Sequence, residues 1–261
     1  MKVGISTGCL YPSLTEKSLE RLLYSGVDLF EIFFNTFSET EPDYLDRIKN
    51  MCDNHNARIR SIHPFTSSYE SYLLFSGYER RFLDGVRFYD MYFRTAKRLG
   101  ADYVVLHGMQ TCFSSISEDE YIKRFSVLFD EGKSYGVTVL QENVWNHISG
   151  NNEFIEKMKY MLGDKAGFVL DTKQARRCGY TPESTALIMG SNLKHIHISD
   201  CMGKELCTLP GTGEYNFDNF ITLLEKTGYS GDMIIEVYGN KAHDIPALIK
   251  AKDYLCRITE P

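Results

Sequence analysis

The sequence predicts an α/β fold, a single closed (β/α)8 barrel of the TIM type, on three observations. Short β-branched or aromatic runs alternate with amphipathic helical patterns along the whole chain, eight such pairs can be marked, and no Pro/Gly/Ser-rich linker separates them. The 261 residues match the usual length of such a barrel, about 250, so residues 1–261 read as one domain. An open doubly wound sheet is the competing arrangement. It is weakened because no Gly-x-Gly-x-x-Gly follows the first strand; Gly4 and Gly8 lack that spacing.

The strand patterns are 3–6, 29–33, 59–63, 103–107, 138–142, 167–171, 195–199 and 233–237. Between them the clearest helix puts Phe82, Val86, Tyr89, Phe93 and Ala96 on one stripe and stops at Gly100. Others are predicted near 16–25, 42–54, 118–135, 152–162, 182–189, 217–227 and 244–257, with Asn216 as an N-cap. The net charge of −6, from 35 acidic and 29 basic residues without a like-charge run, gives no reason to expect nucleic acid as a partner. No stretch approaches the roughly 18 apolar residues of a membrane span, and the N-terminus lacks a signal-peptide pattern, so a soluble, cytoplasmic protein is expected. Seven scattered cysteines without a Cys-x-x-Cys pair read as reduced thiols, mostly in the core.

In a barrel of this kind the active site lies where the strands end, so position gives the polar residues their meaning. His63, His107, Glu142, Asp171, His197 and Glu236 all fall at predicted strand ends. Glu142, Asp171, His197 and Glu236 would close strands five to eight, consecutive around half the barrel. Three carboxylates facing one cavity repel in low dielectric unless a cation joins them. The predicted cofactor is therefore one divalent ion, Mn, Co, Mg or Zn, since oxygen ligands with one imidazole form a hard donor set. His195 shares a strand face with His197 by the period of two and is expected to support it from the core. His63 and His107 are expected to hold substrate hydroxyls rather than a second metal.

Taken in order, Ser61-Ile-His63-Pro, Val105-Leu-His107-Gly, Gln141-Glu142-Asn143, Leu170-Asp171-Thr, His195-Ile-His197-Ile-Ser-Asp200, Pro210-Gly211-Thr212-Gly213 and Ile235-Glu236-Val resemble the xylose-isomerase-like barrels. That superfamily includes ketose 3-epimerases, hydroxypyruvate isomerases, inosose dehydratases and endonuclease IV-type enzymes. The resemblance spans nearly the whole chain and implies a metal-dependent isomerase or epimerase of a small carbohydrate, with Glu142 and Glu236 as the catalytic pair around an enediolate. Where endonuclease IV-like enzymes carry Asp-x-x-His this chain has Asp171-Thr-Lys-Gln174, and after His197 the comparable stretch, Glu205-Leu206-Cys207, offers no histidine. A three-zinc nuclease is thus disfavoured. Ketose 3-epimerases often carry a substrate-touching His at the position of Gln174, so the substrate is expected to differ from a free ketohexose.

Gln174, Trp145 and Arg176 join His63 and His107 as candidate substrate contacts. Lys173, Arg176 and Arg177, expected in a loop after strand six, suit an anionic substrate group, although solvated surface is the commoner fate of such side chains. The Pro210–Gly213 stretch suits either a phosphate or a tight turn. Phe65, Tyr69, Tyr72 and Phe75 read as a lid or wall for a sugar ring. The alternatives are an inosose-type dehydratase, an endonuclease IV-like nuclease and a non-catalytic sugar-binding barrel, with self-association into a homo-oligomer left open.

Overall fold

The barrel strands are β1 (Val3–Ser6), β2 (Leu29–Phe33), β3 (Arg58–His63), β4 (Tyr103–Leu106), β5 (Thr138–Glu142), β6 (Phe168–Asp171), β7 (Leu193–Ile198) and β10 (Met233–Ile235), while β8 (Asp200–Met202) and β9 (Glu205–Thr208) pair as a separate antiparallel hairpin. In the computed structural model, which describes residues 1–113, 115–238 and 244–259, the eight parallel strands close in the order β1-β10-β7-β6-β5-β4-β3-β2. Helices Thr15–Tyr24, Pro42–Asn54, Glu79–Leu99, Glu118–Ser134, Asn152–Leu162, Pro182–Met189, Phe217–Lys226 and Ile245–Thr259 cover the outside. This is a single (β/α)8 TIM barrel. Among the described residues no helix is long and apolar enough to cross a membrane.

Strand alternation divides the core. Val104, Leu106, Val139, Leu170 and Ile196 join the layer between strands and helices, whereas Val105, Leu140 and Val169 form their own buried cluster with Tyr103 inside the barrel. The period of two then puts His107, Glu142 and Asp171 on that same inner face, one step nearer the strand ends. A plug of valine and leucine thus forms the floor under the polar mouth. The helix stripe at Phe82, Tyr89, Phe93 and Ala96 is buried, and Gly100 ends that helix at φ 71° with its amide bonded back to Ala96 and Lys97.

Some expectations change. Strands β4 and β10 stop at Leu106 and Ile235, so His107 and Glu236 begin loops rather than end strands. The expected loop after strand six is a helix, Thr172–Arg177, capped by Asp171 itself. The hairpin β8–β9, turning at Gly203 with φ 57°, was not foreseen. Nor are the cysteines mostly core: only Cys9 and Cys52 are buried and Cys112 is exposed. Cys201 and Cys207 lie in the hairpin, Cys256 on the last helix and Cys178 just after the Thr172–Arg177 helix, where one side of a small residue stays near solvent.

Candidate active site and metal centre

Glu142, Asp171, His197 and Glu236 converge at the mouth, each offering a ligand atom within 4.8 Å of the others. All four are buried. His197 Nδ1 lies 3.3 Å from Glu142 Oε1 and 3.3 Å from Glu236 Oε2. Their placement is built by neighbours. Asn143 brackets the backbone of Asp171, accepting its N–H at 2.7 Å and donating to its carbonyl at 3.1 Å, which extends the β5–β6 pairing by a side chain. Asp171 Oδ1 accepts the amide of Gln174 at 3.0 Å, leaving Oδ2 for the cluster. Gln141 donates to the carbonyls of His107 (3.0 Å) and Glu142 (2.8 Å). Gly108 turns the chain after His107 at φ 89°, where a Cβ would stand 2.0 Å from the Tyr121 hydroxyl.

Glu31, in the middle of β2, was missed by the sequence reading. It is fully buried, accepts Ser61 Oγ at 2.8 Å, and its Oε2 lies 2.9 Å from His197 Nε2. A carboxylate on one imidazole nitrogen leaves the other to face Glu142 and Glu236. Burial opposes charge on His197, yet Glu31 and Glu236 outweigh it and raise its pKa well above the ordinary imidazole value. The same geometry serves a metal: with Nε2–H given to Glu31, the Nδ1 lone pair points at two carboxylate oxygens, an arrangement that a cation between them makes favourable. Glu142 Oε2 and Asp171 Oδ2 are buried without a hydrogen bond. The donor set and its open valences therefore fit a divalent ion. Burial pushes the Asp171 carboxyl up to about 6, with Lys173 pulling against it, while Glu236 is driven well below the usual range because His197 and Lys173 overcome its burial.

Across the mouth stand two imidazoles, His63 and His107, with Nε2 atoms 3.0 Å apart. His63 Nδ1 lies 3.3 Å from the Pro64 carbonyl, which only accepts, so that nitrogen carries the hydrogen. Burial holds His63 below the ordinary imidazole pKa, so its Nε2 accepts. His107 Nε2–H then points to His63, and Glu142 Oε2 lies 2.9 Å from the same nitrogen as a charge contact without a directed hydrogen bond. His107 is itself raised, since Glu142 outweighs burial. His63, His107 and Glu142 make a second group with ligand atoms within 4.8 Å, as do Glu31, His195 and His197.

The remaining candidates take varied positions. Gln174 Oε1 accepts the Trp145 amide at 3.2 Å, tying the β5 loop to the helix after β6, and the Trp145 ring is half exposed. Arg176 donates to the Ser199 carbonyl at 2.8 Å and lies over Tyr215, so its guanidinium fastens that helix to the end of β7. Arg177 is exposed, but Lys173 is buried among the carboxylates instead of solvated. In the glycine loop, Gly211 and Gly213 donate to Asp200 Oδ2 at 3.0 and 2.9 Å, so an internal carboxylate holds the amides that the phosphate reading would use. Tyr69 and Tyr72 are exposed on the rim, whereas Phe75 is core. Gly8, Tyr11, Phe33, Asn35 and Tyr238 line a cavity of about 240 Å³ beside Glu236.

Comparison with known proteins agrees with this architecture. The chain aligns over 160 residues, at 21% identity, with the rhizopine catabolism protein MocC of Rhizobium meliloti, covering 54% of this chain and about half (49%) of that protein. A D-tagatose 3-epimerase-like protein superposes with a TM-score of 0.82 at 22% identity, covering 100% of this chain and 97% of the other. The zinc-bound IolI protein superposes with a TM-score of 0.77 at 20% identity over 99% and 96% of the two chains. At such identities these structures share the fold. The family description that matches residues 19–257 is "Xylose isomerase-like TIM barrel", and the chain belongs to that family.

Proposed function

We propose that this protein is a divalent-metal-dependent isomerase or epimerase of a small carbohydrate, a ketose or keto-polyol. The observation that carries the reading is the convergence of Glu142, Asp171, His197 and Glu236 on one point at the mouth, with open carboxylate oxygens. The D-tagatose 3-epimerase-like protein among the superposed structures and the zinc held by IolI support it. When bound, a divalent ion would polarise a carbonyl and its adjacent hydroxyl and lower the cost of enolate charge.

The residues supply the rest. Glu142 and Glu236 approach from strands on opposite sides of His197, so one removes a proton from the substrate carbon and the other returns it. Delivery to the opposite face of that carbon epimerises; delivery to the neighbouring carbon isomerises. In the metal-free protein the imidazoles overcome burial and hold both glutamates ionised, His107 and His197 at Glu142 and His197 at Glu236, whose Oε1 also accepts the Tyr238 hydroxyl. That role would pass from His197 to a bound ion, and the glutamate that returns a proton would first draw one from solvent. His63 and His107 lie within reach of substrate hydroxyls, and the aromatic cavity of Tyr11, Phe33 and Tyr238 suits the apolar face of a sugar. The occupied amides of the glycine loop favour an unphosphorylated substrate at that position.

One rival has a specific observation behind it. The group His63, His107 and Glu142 offers a second set of ligand atoms, as a multinuclear hydrolase of the endonuclease IV type requires. Elemental analysis of protein purified without chelator separates the two. About one divalent ion per chain, with exchange of a substrate C–H for deuterium in a ketose panel, supports the epimerase. Two or three zinc ions per chain, with nicking of abasic duplex DNA, would replace it.

A further inference from the structure

Lys173 takes no part in the proton transfers above, yet it lies at the centre of the cluster. It is 2% exposed, with Nζ 3.1 Å from Asp171 Oδ2, 3.7 Å from Glu236 Oε2 and 4.5 Å from the centroid of the Tyr238 ring. A buried ammonium needs partners, and here they are two of the four residues assigned to the metal. Asp171 Oδ1 is already committed to the Gln174 amide, so Oδ2 is the oxygen that both the ammonium and a metal would use.

We propose that Lys173 is a resident counter-cation of the carboxylate cluster, which holds Asp171 and Glu236 in place before a divalent ion arrives and weakens that ion's binding afterwards. The inference rests on the metal-centre reading. Glu142, Asp171 and Glu236 together carry three negative charges; the ammonium offsets one of them, and a divalent ion offsets the other two. In the metal-free protein Lys173 therefore limits carboxylate repulsion. In the loaded protein two cations a few ångströms apart repel strongly in a low dielectric. The Tyr238 ring supports the ammonium when Oδ2 turns to the metal, because an aromatic face attracts a cation. The result is a centre whose three metal-facing carboxylates are balanced when loaded and which keeps its shape when empty.

The test uses the full chain stripped with a chelator and titrated calorimetrically with Mn2+ alone. For Lys173→Met the Mn2+ Kd should fall by about tenfold or more, while the metal-free variant melts below the metal-free wild type. Packing loss is separated from charge by repeating the change in an Asp171→Asn background. There, removal of Lys173 should leave the metal-free melting temperature nearly unchanged, whereas a packing role lowers it equally in both backgrounds. If Lys173→Met folds only with Mn2+, or only when combined with Asp171→Asn, the proposal is supported; failure to fold under both conditions overturns it. Equal Mn2+ affinity in wild type and variant overturns the proposal and leaves the metal centre standing. No Mn2+ binding by either protein overturns both.

Discussion

The barrel carries a charged cluster at each end, half-buried at one and buried at the other, and the two are finished differently. At the strand N-termini, Arg60 donates to Asp232 Oδ2 (2.6 Å) and Asp102 Oδ2 (2.7 Å), Arg58 adds a second bond to Asp102 (2.7 Å), and Asp232 Oδ1 takes the amide of Lys2 (3.3 Å). Each charge there has a partner of opposite sign. At the mouth, Glu31, Glu142, Asp171 and Glu236 crowd together, more carboxylates than the nearby Lys173 and imidazoles close off: Glu142 Oε2 and Asp171 Oδ2 have His107 and Lys173 at 2.9 and 3.1 Å but accept no directed hydrogen bond. A closed cluster serves the fold, while an open one is poised for something that binds. The contrast separates stability from chemistry within one architecture, and it can be broken from either side.

The largest effect is expected at the open end. Glu142→Gln and Glu236→Gln keep the shape and remove the base, so turnover of a substrate found in the ketose panel should drop by about 10³-fold or more, with circular dichroism and melting little changed. Retained C–H exchange in both variants would sink the assignment of the pair. At the closed end the pattern inverts. Arg60→Met leaves Asp232, which is 6% exposed, without its counter-ion and should lower unfolding free energy by about 3 kcal/mol in urea titrations, at unchanged activity per folded molecule. A comparable loss of activity would mean that the two clusters are coupled through the barrel.

A third site sharpens the distinction, because it is open but lies outside the carboxylate cluster. His147 bonds the Trp145 carbonyl through Nδ1 at 3.1 Å, its Nε2 is buried without a partner, and burial holds its pKa down to about 4 against an ordinary 6.5. Between those values the unfolded chain binds the extra proton and the folded chain does not. Stability therefore rises with pH across that window and is lost as pH falls through it, by on the order of 2–3 kcal/mol. Melting of His147→Gln against pH should lack that slope, while an unchanged slope would assign it to other groups.

The sequence made much of this legible, for identifiable reasons. Apolar runs between polar helical faces marked all eight barrel strands, because a parallel strand buried on both sides must be apolar except where it meets the cavity. The same rule exposed Glu142 and Asp171, each closing an apolar run. What escaped depended on contacts between distant segments. Asp171 caps the helix that follows it, so the Thr172–Arg177 segment folds at a point where strand endings suggest a loop, and Lys173 turns inward with it. Asp200 gathers amides from Gly211, Gly213 and Tyr215, which no local pattern reveals. Glu31 did leave a signal: it is a carboxylate in the middle of Leu-Phe-Glu-Ile-Phe, where burial without a partner is costly.

That residue offers the subtlest test of the open cluster. Glu31 Oε2 lies 2.9 Å from His197 Nε2, and the same carboxylate is held by Ser6 (3.2 Å) and Ser61 (2.8 Å), so its orientation is fixed from below. Its task would be to keep the hydrogen on Nε2 and leave Nδ1 free toward Glu142 and Glu236, which also makes the imidazole a better donor to a metal. Glu31→Gln preserves size, but its amide has one carbonyl oxygen and one NH₂ where the carboxylate had two acceptors. If the NH₂ turns toward His197, the imidazole must move its hydrogen to Nδ1, the nitrogen that faces the carboxylates. Mn2+ affinity should then fall by about tenfold, roughly 1.4 kcal/mol, with the fold retained. Nitrogen-15 chemical shifts of the His197 ring report the tautomer directly. A weakened metal site without a tautomer change would make Glu31 a source of negative potential alone, and unchanged affinity would return it to the closed, structural class of charge.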